Sequence, residues 1–142
     1  MSVRRRRGRH AERGQSMAEL GMSIVLLVTL SMGIIEFGHA FMVANVITHA
    51  ARDGGRVASI VPASARDASG LIIDPTPIET QVRADIQNVV DASGLAIDVS
   101  QPTVAGIPLV RVSVNGTVPY IFRLVGSGFT VARDITFRDE GR

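Results

Sequence analysis

The chain contains no cysteine and no lysine, and only three of its 142 residues are histidine. Without cysteine, neither a disulfide framework nor a thiolate metal site can form. Without lysine, there is no phosphate-binding loop of the kind that pairs glycines with a lysine. The histidines are His10, His39 and His49, and no metalloprotease, nucleophile-elbow or EF-hand spacing is present. The sequence therefore predicts a protein that is not an enzyme and that uses no cofactor or metal.

Positive charge is concentrated at the N-terminus. Residues 1–13 contain six arginines and one acid, Glu12, whereas the whole chain carries a net charge of only +2. The remainder is therefore acidic, and the basic isoelectric point belongs mostly to this leader. The arginines stand directly before an apolar stretch, where the positive-inside rule keeps them cytoplasmic. No aromatic residues interleave with them to stack on bases, which favours a topology signal over nucleic-acid binding.

A long apolar segment follows the leader. Residues 20–35, between Glu19 and Glu36, are sixteen residues without a charge. As a helix they extend about 24 Å, slightly less than a hydrocarbon core of about 30 Å. Continuing the segment through Phe37–Val43 makes up the difference. The segment is predicted to be a membrane helix.

The helical pattern continues beyond this segment. Four polar residues recur at spacings of four, three and four and so share one stripe: Asn45, His49, Arg52 and Arg56. The pattern predicts one helix from about Gln15 to Asp53, roughly 58 Å long. Gly54–Gly55 is the expected stop.

Two positions for cleavage of the leader are considered. A conventional signal peptide would be cut after Ala40, behind the small residues Gly38 and Ala40. Against this, the apolar run exceeds the usual length, and the helical pattern continues past the cut. The alternative lies before the apolar segment, where Gly14 precedes Glu19 by five residues. This spacing, behind an arginine leader, resembles the class III leader that prepilin peptidases cleave.

The resemblance extends to a specific family. Arg13–Glu19, the apolar run, Ile34–Gly38 and Ala50–Arg56 together are similar to the TadE-like pseudopilins. These are minor subunits of tight-adherence (Tad or Flp) pili, a branch of the type IV pilus and type II secretion superfamily. His39 departs from the family, in which an arginine or a similar residue is common after the Glu-Phe-Gly sequence.

The resemblance implies roles for four residues. A prepilin peptidase would cleave between Gly14 and Gln15, so that Gln15 carries a free α-amino group. Glu19 would pair with the N-terminal amine of a neighbouring subunit, since a charge in hydrocarbon is costly unless paired. Glu36 would pair with a neighbouring helix during assembly. Roles within one chain stay open for both carboxylates, Glu19 stabilising the helix N-terminus and Glu36 lying at the interface.

The remainder of the chain predicts a small α+β domain. Thr76–Glu79 has the pattern of a capping box with proline at N1, and Gly94 is the expected C′ residue. The apolar face of this helix would be Ile78, Val82, Ile86, Val89 and Val90.

Three strands are expected, at Leu95–Ser100, Ile107–Val118 and Asp134–Asp139. Asn115–Gly116 is a hairpin signal, although Pro119 would confine a returning strand to an edge. The competing interpretation, slightly preferred, is a short helix or loop at Tyr120–Val125.

The predicted fold class is thus α+β and pilin-like. A basic leader (1–14) precedes a transmembrane and spine helix (15–53), a connecting segment (54–75) and a head (76–142) with one helix and a short antiparallel sheet.

The predicted function is a minor pseudopilin in Tad pilus biogenesis and adhesion, single-pass in the bacterial inner membrane with its N-terminus inside. The resemblance also implies its incorporation into an extracellular pilus. The implied partners are the prepilin peptidase, other pilins and minor pseudopilins, and the inner-membrane assembly platform. The alternatives are a type II secretion-like minor pseudopilin and a single-pass membrane-tethered binding domain.

Overall fold

The longest element is a helix of 52 residues, α1 (Gly8–Ser59). The computed structural model describes residues 8–123 and 126–141, the first six of these by their backbone only. The chain divides into two units, Met1–Gly38 and His39–Arg142, and α1 has residues in both. The predicted α+β fold, a long apolar helix followed by a small domain with one further helix and an antiparallel sheet, is confirmed.

The end predicted for α1 is wrong. The helix passes through Gly54 and Gly55 and ends at Ser59. A Cβ atom on Gly54 would collide with the side chain of Val82, and one on Gly55 would lie 2.7 Å from the ring of Phe137. Both glycines are buried. They therefore serve close packing of α1 and do not act as a helix stop.

Helix α2 (Thr76–Gln87) buries Ile78, Val82 and Ile86 as predicted, but its capping differs. Pro75 is the N-cap and no side chain caps this end. Glu79 cannot complete a capping box, because its Oε1 accepts the backbone N–H of Val99 at 3.3 Å. Asp74 instead accepts the N–H of Thr76 at 3.0 Å.

The C-terminal end of α2 also differs from the prediction. The C-cap is Asn88, so Gly94 is not the C′ residue. A Cβ atom on Gly94 would lie 2.7 Å from the carbonyl oxygen of Thr117, which makes it a close-packing glycine. The guanidinium of Arg83 binds the chain beyond the helix, donating to the carbonyls of Ala92 (2.9 Å) and Leu95 (3.2 Å).

The sheet is built on one central strand. Strands β1 (Leu95–Ser100) and β2 (Thr103–Val104) both pair with β3 (Ile107–Pro119), and so does β4 (Gly128–Arg138). All pairings are antiparallel. In the described part of the chain, β4 pairs with β3 alone, along its whole length from Gly128 opposite Pro119 to Arg138 opposite Leu109.

Asn115–Gly116 is not a hairpin turn. Both residues continue β3, where Asn115 lies opposite Ala132 on β4 and Gly116 opposite Leu95 on β1. A Cβ atom on Gly116 would lie 2.9 Å from the Cα of Leu95, so the glycine permits close approach of β1. A two-residue turn does occur between β2 and β3, at Ala105 and Gly106, which both have positive φ as type I′ turns require.

The chain between β3 and β4 is irregular at Tyr120–Arg123, in agreement with the preferred loop. The remainder of that prediction, residues 124–125, lies outside the described residues. The last strand was predicted too short, since β4 begins at Gly128 and not at Asp134.

The core of the C-terminal unit is almost entirely aliphatic. One face of β3 contributes Val110, Val112, Val114 and Val118. Helix α2 contributes its three buried residues, and α1 contributes Val43, Ile47, Ala50, Ala51 and Ala58. The predicted polar stripe of α1 is exposed at all four positions. The other face of the sheet is polar, with Asp98, Asn115 and Asp134 exposed, so the sheet is covered on one side only.

Candidate assembly and processing site

Glu19 and Gln15 lie one helical turn apart on α1 and contact each other. The side-chain amide of Gln15 donates through Nε2 to Oε1 of Glu19 at 3.0 Å, and both residues are exposed. The hydroxyl of Ser23 donates to the backbone carbonyl of Glu19 at 2.8 Å. The carboxylate thus accepts a bond from a neutral partner and remains accessible to a cation.

Gly14, the residue before the predicted cut, is exposed and helical. A Cβ atom there would have no heavy atom of the described residues within 4 Å. The Gly14–Gln15 peptide bond therefore lies in open surroundings, next to the Gln15–Glu19 contact.

The apolar stretch after Glu19 is exposed along its length. Apart from Met32, which is half-buried, every residue from Gly14 to Ile35 is exposed. A helix apolar on all sides is typical of a membrane span or a fully buried helix, and this one is not buried within the chain. Among the described residues, α1 is the helix long and apolar enough to cross a membrane.

The hydroxyl groups in this stretch are hydrogen-bonded within the helix, which makes them compatible with a hydrocarbon environment. Thr29 donates to the carbonyl of Val25, and Ser31 donates to that of Leu27, each at 2.8 Å. Bonds to the carbonyl four residues earlier leave no hydroxyl proton unsatisfied in lipid. Polar residues that look disruptive in the sequence are thereby compatible with a membrane span.

Two shallow apolar depressions lie on one face of this stretch. One surrounds Gly21 and is lined by Ala18, Met22 and Val25, and the other surrounds Gly33 and is lined by Leu30 and Phe37 among others. Side chains at these glycines would meet nothing within 4 Å. Small residues of this kind let membrane helices approach closely.

Glu36 differs from Glu19 in its surroundings. It is only 7% exposed, in contrast to the exposed residues on either side of it. The two carboxylates are seventeen residues apart on one helix and are therefore separated by about 26 Å along its axis. The structure does not bring them together into one site, so any pairing by each is a separate interaction.

Within residues 8–123 and 126–141, the remaining ionisable groups do not cluster as metal ligands. No group of three or more potential ligands for a metal ion is found among the described residues. Hydrogen bonds from the Thr76 hydroxyl and its backbone N–H hold the pKa of Asp74 below the ordinary value of 3.8. The backbone N–H and hydroxyl of Ser93 lower the pKa of Asp91 in the same way. These carboxylates organise turns in the C-terminal unit.

The packing role of Gly54 and Gly55 is not predicted by the sequence. Two adjacent glycines interrupt an otherwise regular helical pattern, and this pattern predicts a helix stop instead. Its meaning depends on Val82 and Phe137, which are distant in the sequence.

These features define a class of protein: one N-terminal helix with an exposed apolar stretch, followed by a small α+β domain. Comparison with known families narrows the class. The model of a family described as TadE-like protein matches residues 14–56, less than a third of the chain. The match confirms the TadE-like resemblance over the segment that begins at Gly14 and ends at Arg56. No match is found among curated proteins or among solved structures.

The TadE-like match supports association of this chain with a Tad pilus system. The TadE-like family is of the structural, non-enzymatic kind. The exposed apolar stretch lies within the matched residues, so the matched segment contains the helix that is long and apolar enough to anchor this chain in a membrane.

Proposed function

We propose that this protein is a minor pseudopilin, a structural component in the biogenesis of a Tad pilus and in the adhesion that the pilus provides. The observation that carries the proposal is the TadE-like match, which begins at Gly14 and covers the whole exposed apolar stretch. The head, which lies mostly beyond the match, contacts other pilins and minor pseudopilins.

The protein is inserted once into the inner membrane, with the arginine leader in the cytoplasm and the α+β domain outside. The leader supplies six arginines directly before the span, which is the charge asymmetry that sets this orientation. Recruitment to the inner-membrane assembly platform precedes incorporation into a filament.

A prepilin peptidase cleaves between Gly14 and Gln15. The accessibility of Gly14 supports this position, since it is exposed and no heavy atom of the described residues lies within 4 Å of a Cβ placed there. Cleavage removes the arginines and places a free amine on Gln15, one turn from the Glu19 carboxylate.

Glu19 is the first assembly residue. Within the described part of the chain, its carboxylate accepts a hydrogen bond from the neutral side-chain amide of Gln15, at 3.0 Å. Charge-assisted bonds are roughly twice as strong as neutral ones, so the N-terminal amine of a neighbouring subunit can replace the amide. This exchange fixes the axial register between two subunits.

Glu36 is the second assembly residue and pairs with a neighbouring helix. Glu36 is only 7% exposed within the single chain, in contrast to Glu19, so this pairing requires that its carboxylate becomes accessible during assembly. Because it lies about 26 Å from Glu19 along the helix, it contributes to a different subunit contact.

The test is the intact mass of the protein extracted from membranes of cells that carry the pilus system. A mature chain that begins at Gln15 supports the proposal, and its dependence on the peptidase is checked in a peptidase-deficient strain. An intact Met1, or a chain that begins at Phe41, overturns it and favours a membrane-tethered binding domain. Co-purification with type II secretion components would assign the cleaved protein to that system.

A further inference from the structure

Apolar side chains are exposed at one end of the sheet, where the chain leaves β3 towards β4. Ile121 is 51% exposed and Phe122 is 37% exposed. They stand between Tyr120, whose ring centroid lies 5.6 Å from that of Phe129, and the exposed Arg123. We refer to Tyr120–Arg123 as the apolar turn. Aromatic and aliphatic residues next to an arginine are typical of segments at a membrane–water interface.

The opposite end of the sheet lies beside the C-terminal end of α1. The backbone N–H groups of Glu140 and Gly141, just after β4, donate to the carbonyl of Ser59 at 2.9 and 3.0 Å. A Cβ atom on Gly55 would lie 2.7 Å from the Phe137 ring and 3.8 Å from Val112. These contacts place the end of β4 and the Val112 position of β3 beside the last turns of α1.

Measured from Gly55 and Val112, α1 and β3 extend over similar lengths of the same core. Twelve helical residues separate Gly55 from Val43, which is about 18 Å. Six strand residues separate Val112 from Val118, which is about 20 Å. Val43 and Val118 are both fully buried in one cluster. The apolar turn, which follows Val118 by two residues, therefore lies at the end of the C-terminal unit where His39–Val43 begins.

We propose that the apolar turn inserts into the headgroup region of the bilayer that anchors the chain. The segment that leads into His39 is the exposed apolar stretch of α1, so this end of the unit is the one nearest to lipid along the chain. Ile121 and Phe122 bury their exposed surface in the outer hydrocarbon, and Arg123 contacts lipid phosphates. The proposal depends on membrane anchoring but not on cleavage or pilus assembly.

The charges near the apolar turn predict whether insertion requires anionic lipid. Asp91 lies in the connection to β1, whose first residue, Leu95, is opposite Gly116 near the same end of β3. The positive charge of Arg123 is thus accompanied by a carboxylate near this end of the sheet. Insertion therefore rests on the apolar side chains and persists in vesicles of phosphatidylcholine alone.

The absence of cysteine permits a direct test with the full, uncleaved chain. Ile121→Cys is labelled with an environment-sensitive NBD fluorophore in phosphatidylcholine vesicles that contain lipid spin-labelled near the headgroup. The matched control is Ile107→Cys, 47% exposed at the other end of β3. We expect blue-shifted, quenched emission from position 121 and water-like, unquenched emission from position 107.

Water-like emission from position 121 overturns the proposal, and so do equal blue shifts at both positions, which describe adsorption of the whole unit. Phe122→Cys gives a second, independent reading should the first label disturb the fold, and circular dichroism of each labelled protein checks that it is intact. Since uncleaved protein is used, failure here leaves the intact-mass test of the proposed function untouched.

Discussion

The guanidinium of Arg66 and the carboxylate of Asp139 form a buried, bidentate ion pair across 73 residues of sequence. Nη1 donates to Oδ2 at 2.8 Å and Nη2 to Oδ1 at 2.7 Å. Arg66 also donates to the carbonyls of Val61 (2.9 Å) and Gly70 (2.8 Å). The pair therefore joins the segment after α1 to the end of β4, and its hydrogen bonds offset part of the cost of burying two charges.

Removing one partner of this pair is expected to destabilise the protein strongly. Asp139→Ala leaves the Arg66 charge buried without its counter-ion, which costs about 3–5 kcal/mol. Urea unfolding of the full chain in detergent measures the change. Asp134→Ala, on the exposed face of β4, is the matched control and should change stability by less than about 0.5 kcal/mol. An Asp139→Ala variant as stable as the original chain would contradict the role assigned to the pair.

The packing of Gly54 predicts an overpacking defect. In Gly54→Ala the new methyl group meets the side chain of Val82, and repacking costs about 1–3 kcal/mol. Gly38→Ala is the control, because it is also helical but has no heavy atom within 4 Å of the new Cβ. It should be neutral or stabilising by up to about 1 kcal/mol. Equal thermal stability of the two variants would show that Gly54 is not a packing residue.

Glu19 is expected to separate processing from assembly. Glu19→Gln keeps the size of the side chain and its bond to Gln15 but removes the negative charge, so the neighbouring amine loses its ionic partner. We expect cleavage at Gly14 to continue, while incorporation into the pilus falls sharply.

Mass spectrometry of the membrane fraction and quantification of the protein in sheared pili measure the two steps in the Glu19 variant. Ser16→Ala is the control within the same turn. Normal incorporation of Glu19→Gln would remove the assembly role of the carboxylate.

The lowered pKa values of Asp74 and Asp91 predict a loss of stability in acid. Hydrogen bonds hold the pKa values of both carboxylates below 3.8 in the folded chain. As the pH falls, the two carboxylates are therefore protonated in the unfolded chain before they are protonated in the folded chain. Their stabilising effect is complete above pH 3.8 and is lost as the pH falls through the lower folded values.

Thermal unfolding should therefore distinguish the original chain from Asp74→Ala at pH 6, and the difference between the two curves should shrink as the pH falls below 3.8. Thr76→Val, which removes the first cause of the Asp74 shift, should give an intermediate loss at pH 6. A constant difference between the two chains across this range would contradict the linkage.

The sequence predicted those parts of the fold that depend on local periodicity. Strand β1 has the predicted bounds, Leu95–Ser100, because its flanking residues break the pattern on both sides. The buried face of α2 follows from the spacing of Ile78, Val82 and Ile86. The Gln15–Glu19 contact could also be predicted from the sequence, because the two residues are four positions apart on one helix and therefore face each other.

The local sequence patterns at three glycines and at Glu79 gave wrong predictions, because the residues that these positions contact are distant in the sequence. Gly54, Gly94 and Gly116 match local signals for a helix stop, a C′ residue and a turn, yet each is set by a close approach to another element. Glu79 matches a capping box but binds Val99 on a strand. The Arg66–Asp139 pair has no local signal at all. Tertiary contacts decided these positions, and they cannot be read from a short window of sequence.

Among the described residues, the outer edge of β4 is unpaired, which matters in a membrane, where copies of the chain concentrate in two dimensions. An open edge of eleven residues is a template onto which a second copy can add a strand. The antiparallel register that would use the entire edge, with Gly128 opposite Arg138, places Arg133 directly opposite Arg133 of the other copy. Like charges in that position oppose pairing. Arg133, at the centre of the strand, thus disfavours aggregation through the β4 edge. Association between copies is left to other surfaces.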